Sequence, residues 1–296
     1  MQHKTVLLHE AVDNLVLSPQ DTVVDATFGS GGHAAVITQE LHREGCYIGI
    51  DADETALDKS KVGDVACKVH LVHDNFQNIS NILRSLHIEK VNVILADLGW
   101  RMEQFADGTK GFSFMHDGPL HMTFGDPSQY TCTAEDIIND WEESVIADVL
   151  FGYAEERFAR RIAKAIVTAR ASERIVTTGQ LVSIIESAYP KAVKRSRLHP
   201  ATKTFQALRI AVNDELSSLE KLINDGFAAL APGGRMGIIT FHSIEDRVVK
   251  HSFRELKEAG LATLTPKKPI VPTTEELNEN PRARSAKLRI ITKQDE

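Results

Sequence analysis

The sequence predicts an α/β fold: a Rossmann-like, mainly parallel sheet interrupted by an inserted all-helical domain. Three observations predict it. Three apolar runs each end in an aspartate: Thr22-Val23-Val24-Asp25, Tyr47-Ile48-Gly49-Ile50-Asp51 and Val91-Asn92-Val93-Ile94-Leu95-Ala96-Asp97. The first runs directly into the glycine-rich turn Gly29-Ser30-Gly31-Gly32-His33. Strand-like and helix-like stretches alternate through the first hundred residues, then give way to a long helical stretch, then resume.

Taken in order, strands are expected at about 22–26, 46–50, 68–72 and 91–96, with helices at about 31–43, 53–61 and 77–87. A β-α-β-α order of this kind makes a parallel sheet with right-handed crossovers. The pattern breaks at about 100–130, a segment rich in Gly, Asp, Met and Phe. From Thr133 to about Tyr189 the signal is helical. Thr133-Ala134-Glu135-Asp136 reads as an N-cap followed by acids in the first turn. Phe158, Ile162, Ala165, Ile166 and Ala169 recur at helical spacing. Phe205 to Leu230 reads as one or two amphipathic helices. Ala231-Pro232-Gly233-Gly234-Arg235 is a turn and Met236–Phe241 a late strand. Residues 266–285 carry four prolines and read as an extended arm.

The chain of 296 residues is long enough for two domains and a sizeable core. No apolar run reaches the roughly 18 residues that a membrane span needs, and no signal peptide is expected at Met1–Leu8. Cys46, Cys67 and Cys132 are widely spaced and form no C-x-x-C pair, which fits a reducing cytoplasm. A net charge of -7 argues against a general nucleic-acid coat. Local basic faces remain possible. Lys191, Lys194, Arg195 and Arg197 cluster with His199 and Lys203, and Lys267, Lys268, Arg282, Arg284, Lys287 and Arg289 form a second cluster. Each is either a solvated surface or a set of phosphate contacts.

Gly29-Ser30-Gly31-Gly32-His33-Ala34 satisfies the dinucleotide pattern, and Asp51 stands about 20 residues on, where an acid accepts the ribose hydroxyls. An NAD-dependent enzyme therefore stays open from this motif. Three features favour S-adenosyl-L-methionine instead: Asp25 just before the loop, Asp97 at the end of the fourth strand, and the Pro-Gly-Gly turn before a late strand.

The longer motifs carry a specific resemblance. The chain resembles the RsmH (MraW) methyltransferases, which methylate N4 of one cytosine in the decoding region of small-subunit (16S) ribosomal RNA. The resemblance rests on His3–Glu10, Asp25–His33, Gly111–Phe114, Thr202–Asn213, Phe241–Arg247 and Asn280–Arg289. It implies a class I methyltransferase core over 1–104 and 205–296, with an inserted helical substrate-recognition domain over 105–204. It also implies S-adenosyl-L-methionine as cofactor, a cytoplasmic setting and the small ribosomal subunit, as assembled ribonucleoprotein, as substrate. The family's cofactor positions fall on Gly31, Gly32, His33, Asp51, Phe76 at the adenine, Asp97 and Gln104. Lys191, Lys194, Arg195 and Arg197 are the expected RNA contacts.

Two segments depart from the family pattern. Where the family has Asp-Leu-Gly-Val-Ser-Ser-x-Gln, this chain has Asp97-Leu98-Gly99-Trp100-Arg101-Met102-Glu103-Gln104. Where it has Gly-Pro-Leu-Asp-Met-Arg-Met-Asp, this chain has Gly118-Pro119-Leu120-His121-Met122-Thr123-Phe124-Gly125. These changes bear on acceptor recognition, and leave open another RNA, a protein amine or a non-catalytic assembly role.

An exocyclic cytosine amine is a poor nucleophile, so the expected catalytic residue is an acceptor for its proton, Asp97. Trp100, next along, either stacks on a flipped base or packs against the insertion. Other features read as structural. His70 and His73 point to opposite faces of a strand. His242 and Glu245 could suggest a metal pair, but the sequence shows no evident third or fourth ligand, so no metal is expected. Phe112 and Phe114 read as core. Phe241–Arg247 reads as a strand-to-turn segment on the acceptor side.

Overall fold

The computed structural model describes residues 4–58, 62–99, 108–190 and 199–295. The chain divides into two compact units, Met1–Gly99 with Leu216–Glu296, and Trp100–Glu215.

The first unit is built on a seven-stranded sheet in the order β3-β2-β1-β4-β5-β7-β6. Its strands are β1 (Thr22–Asp25), β2 (Cys46–Asp51), β3 (Lys68–His73), β4 (Val91–Asp97), β5 (Leu230–Thr240), β6 (Ala262–Leu264) and β7 (Lys287–Lys293). β1 to β5 pair in parallel. β7 runs antiparallel between β5 and β6. Connections leave β1 in one direction to β2 and β3, and β4 lies on its other side. The strand order therefore reverses at β1, the place where open α/β sheets bind ligands.

The four central strands read as near-continuous apolar runs because both faces are covered. Alternate residues go to opposite sides. Val24, Ile48 and Ile94 pack with α3 (Ile79–Ser85), α9 (Glu215–Ala229) and α10 (Ser243–Glu258). Val23, Tyr47 and Leu95 pack with α1 (Leu8–Leu15) and α2 (Gly32–Glu40).

The Pro-Gly-Gly turn lies inside β5. Its register against β4 jumps from Val91↔Leu230 to Val93↔Arg235, so the residues between loop out, with Gly233 at φ 74°.

The helix expected over 53–61 is described only as the 3₁₀ turn Glu54–Ala56. Asp53 accepts hydrogen bonds from both the N–H and the hydroxyl of Thr55, a local closure that competes with helix. The arm at 266–285 is not wholly extended. It contains α11 (Thr274–Glu279), N-capped by Thr273, and the 3₁₀ turn Pro281–Ser285. Ala283 of that turn is fully buried.

The second unit holds α4 (Ala134–Asp140), α5 (Glu143–Ala154), α6 (Ala159–Arg170), α7 (Thr178–Ala188) and α8 (Ala201–Asn213). Thr133 and Asp136 close a capping box on α4. The boundary expected at 204/205 cuts through α8. The whole helix belongs to this unit, because Phe205, Leu208 and Val212 join Ile137, Leu150 and Ile162 in its core. Asp214, at φ 46°, separates α8 from α9.

Candidate functional site

The site grows from the sheet register. Asp25, the last residue of β1, is level with Gly49 of β2 and Leu95 of β4. Asp51 and Asp97 each stand two residues further along their strands. They therefore flank the end of β1 from either side, two strand spacings apart, roughly 10 Å. Phe76 follows the neighbouring β3, in a 3₁₀ turn, and packs half-buried against the core. Gly31, Gly32, His33, Asp51, Phe76 and Asp97 thus share the carboxyl end of the sheet.

The glycine turn needs its glycines for two different reasons. Gly29 and Gly31 have φ of 54° and 78°, the left-handed region that a side chain disfavours. Gly32 is fixed by crowding instead, since a Cβ there would lie 1.7 Å from the Thr5 hydroxyl oxygen. The turn is then tied to β2. The Gly29 N–H donates to Asp51 Oδ2 at 2.8 Å, and the Asp53 N–H donates to Asp51 Oδ1 at 2.9 Å. Asp51 shapes the loop as well as facing it.

Asp25 forms the floor of the site. It is 1% exposed, and its carboxylate accepts from the Tyr47 hydroxyl at 2.7 Å and the Thr27 N–H at 3.2 Å. Burial pushes its pKa up to about 6, against the downward pull of those bonds.

Across the crevice, the Asp97 N–H donates to Thr27 Oγ1 at 2.6 Å, tying the ends of β1 and β4 together. Asp97 Oδ2 lies 3.8 Å from Nδ1 of the buried His33. Its Oδ1 is buried without a hydrogen-bond partner among the described residues. Burial, then the charges of Asp25 and Glu245, hold the Asp97 carboxyl well above the usual carboxylate range. Such an oxygen is costly unless something outside the fold partners it.

Glu245 arrives by a route that the sequence reading missed. Phe241–Arg247 is not a strand-to-turn segment. His242 caps α10, its Nδ1 accepting from the Glu245 N–H, while Glu245 accepts from the backbone of Phe241 and His242. The signal was the capping-box spacing, disguised by a histidine in the place of Ser or Thr.

Trp100 and Gln104, and the basic stretch Lys191, Lys194, Arg195 and Arg197, lie outside the described residues. In the second unit, Phe112 is buried and stacks on Phe124, and Phe114 packs on Phe205, in keeping with core roles.

The donor set fits S-adenosylmethionine better than a dinucleotide. Mutually interacting carboxylates at Asp25, Asp51, Asp97 and Glu245 favour a sulfonium and an ammonium, and would repel a pyrophosphate. Asp97 Oδ1 has acceptor capacity to offer. A sheet that reverses at β1, with antiparallel β7 between β5 and β6 and an acid-lined crevice over β1, defines a class I S-adenosylmethionine-dependent methyltransferase.

Comparison with known proteins narrows the class. The MraW methylase family matches residues 1–294. The ribosomal RNA small subunit methyltransferase H of Clostridioides difficile is 40% identical, covering 98% of each chain. That of Acetivibrio thermocellus is 43% identical, covering 99% of each. A solved rRNA methylase from Streptococcus thermophilus aligns over all of both chains at 14% identity, with a TM-score of 0.41. The chain belongs to the MraW methylase family.

Proposed function

We propose that the protein methylates the exocyclic N4 of a cytosine in small-subunit (16S) ribosomal RNA, within the cytoplasm. The observation that carries this reading is the lone oxygen Oδ1 of Asp97 at the topological switch point. Support for the substrate comes from the relatives, which bear the name of small-subunit ribosomal RNA methyltransferases at 40% and 43% identity over nearly their full length.

Gly31, Gly32, His33, Asp51, Phe76, Asp97 and Gln104 would hold S-adenosylmethionine, which when bound supplies an electrophilic methyl group on a sulfonium. Asp51 accepts the ribose hydroxyls while keeping the glycine turn closed. Asp97 accepts a hydrogen bond from the acceptor amine. This draws the nitrogen out of conjugation with the ring, and the carboxylate then takes its proton. A carboxylate whose pKa stands above the ordinary range is the stronger base for that task. Thr27 fixes the Asp97 backbone by accepting from its N–H, and the His33 ring lies beside the carboxylate. Trp100 stacks on the base once it has left its helix.

The helical unit recognises the substrate, an assembled ribonucleoprotein, with Lys191, Lys194, Arg195 and Arg197 on phosphates. The acidic balance of the chain, -7, makes weak binding of free RNA the expectation.

Mass spectrometry of small-subunit RNA from cells with and without the protein tests the reading. One fragment should lose a single methyl group on cytosine N4 when the protein is absent. Identical fragment masses in the two strains would sink it.

A further inference from the structure

The edge of the sheet beyond the acceptor carboxylate carries a cationic groove. A small cavity of about 110 Å³ lies where α10 meets the β6–β7 edge. It is lined by Lys250 and Arg254 of α10, by Pro266, Lys267 and Lys268 after β6, and by Arg289 of β7. Lys250, Lys267 and Lys268 are exposed, and none has an ion-pair or hydrogen-bond partner among the described residues. These three lysines, beside Arg254 paired with Glu258 and Arg289 paired with Asp246, line one groove of a chain whose net charge is -7.

Arg289 makes the groove more than a patch of lysines. Its side chain is 14% exposed, and Asp246, at 12%, orients it. Nε donates to Asp246 Oδ1 at 2.7 Å and Nη2 donates to Oδ2 at 3.3 Å. Nη1 donates to no group among the described residues. Lys287 also donates to Asp246 Oδ2, at 2.9 Å, so two cations share one carboxylate. A guanidinium clamped on one edge with its other edge free is a preorganised phosphate donor.

Topology places the groove beside the reaction site. β6 runs parallel to β4, since each is linked through strands to antiparallel β7, so the loop after Leu264 lies at the same end of the sheet as Asp97. Three strand spacings, roughly 14 Å, separate β4 from β6.

We propose that this groove binds backbone phosphates of the RNA strand that carries the acceptor base, as a contact separate from the Lys191–Arg197 stretch. The inference rests on the reading of the protein as an RNA methyltransferase. The cavity is too small for a nucleotide and suits a phosphate group, and its charge complements the RNA backbone.

The test uses the full-length protein carrying Lys250→Gln, Lys267→Gln and Lys268→Gln together, all at exposed positions. Methylation of isolated small subunits is followed across a salt series. The triple variant should raise KM for subunits by about 10- to 50-fold and flatten the salt slope by about two, the effect of three lost phosphate contacts on a single strand. Cofactor affinity and kcat should hold, and Lys→Arg at the same positions should restore KM. A triple variant with unchanged KM and slope, beside an active wild type, overturns the groove alone. A wild type that neither binds nor methylates subunits overturns the functional reading and the groove with it. Fluorescence anisotropy with a single-stranded oligoribonucleotide and with polyglutamate separates partners. Loss of RNA binding in the variant supports the proposal, whereas a wild-type groove that takes polyglutamate and ignores RNA assigns it to an acidic protein instead.

Discussion

The strand ends of the sheet unit and the loop Met122–Gly125 of the helical unit are held by different means. In the sheet, Asp25, Asp51 and Asp97 take their places from strand register, and their side chains then organise the turns around them. In the loop the backbone is what is held. The Asn213 amide donates to the Met122 carbonyl at 2.7 Å and to the Arg209 carbonyl at 2.9 Å, and its oxygen accepts from the Phe124 N–H at 3.0 Å. Gly111 and Gly118 press on neighbouring backbone, where a Cβ would lie 1.9 Å from the Pro119 oxygen and 2.1 Å from the Gly108 oxygen. The lesson concerns tolerance. A site fixed through its side chains permits few changes of residue type. A loop whose backbone is clasped in this way leaves room for change at His121, whose side chain the clasp does not touch, whereas the buried Thr123 hydroxyl itself donates to the Gly125 carbonyl at 3.0 Å.

The largest expected effect breaks the comparison on the sheet side. Asp97→Ala should lower turnover by about 10²-fold or more, the scale of a positioned acid–base group. Single-turnover kinetics at saturating cofactor and subunits would show it, and a normal rate would leave Asp97 without a chemical role.

A second prediction concerns pH. The Asp25 carboxyl sits near 6 in the folded protein against an ordinary 3.8. The folded state therefore holds this proton more tightly than the unfolded chain. Stability from this group is fully present below about pH 4 and is lost as pH rises towards 6, by roughly 3 kcal/mol at most. Asp25→Asn keeps an acceptor for the Tyr47 hydroxyl and should remove that slope, leaving the variant more stable than wild type at pH 8. Parallel denaturant midpoints for the two proteins from pH 4 to 8 would contradict this.

The smallest effect sharpens the loop side. Asn213→Ala leaves the Met122 carbonyl and the Phe124 N–H without their partner and should cost about 2 kcal/mol, the scale of buried polar groups stripped of hydrogen bonds. Changes at His121, whose side chain the clasp does not use, should cost far less by the same denaturant measurement. Equal losses at the two positions would show that the loop is held by its side chains after all.

What was legible in the sequence follows the same division. Buried parallel strands announce themselves as apolar runs, and an aspartate at each end marks where the run leaves the core, so β1, β2 and β4 and their acids could be read directly. The capping residues Thr133 and Asp136 were equally plain. The supporting contacts were less visible, because they join residues far apart in the chain. Nothing local to Thr5 reveals that it crowds Gly32. Tyr47 offered a faint signal, since a tyrosine in an otherwise aliphatic buried strand needs a partner for its hydroxyl, and that partner is Asp25. Prolines masked α11, although Thr273 and Glu276 have capping spacing. The edge of the insert was misplaced because α8 is amphipathic, and an amphipathic pattern does not say which core its apolar face joins.

The wall that Thr5 puts behind the glycine turn has a consequence for how the molecule is made. Residues 4–7 are anchored by the far end of the chain. The Leu7 N–H donates to Glu276 Oε1, the Asn280 amide donates to the Lys4 carbonyl, and Lys4 pairs with Glu279. During synthesis the ribosome delivers the turn long before its anchor. The nascent chain can build β1 to β4 and still lack a finished wall behind Gly32. The glycine turn should therefore gain its full support only when α11 has left the exit tunnel, and an unfinished or C-terminally clipped chain lacks that wall.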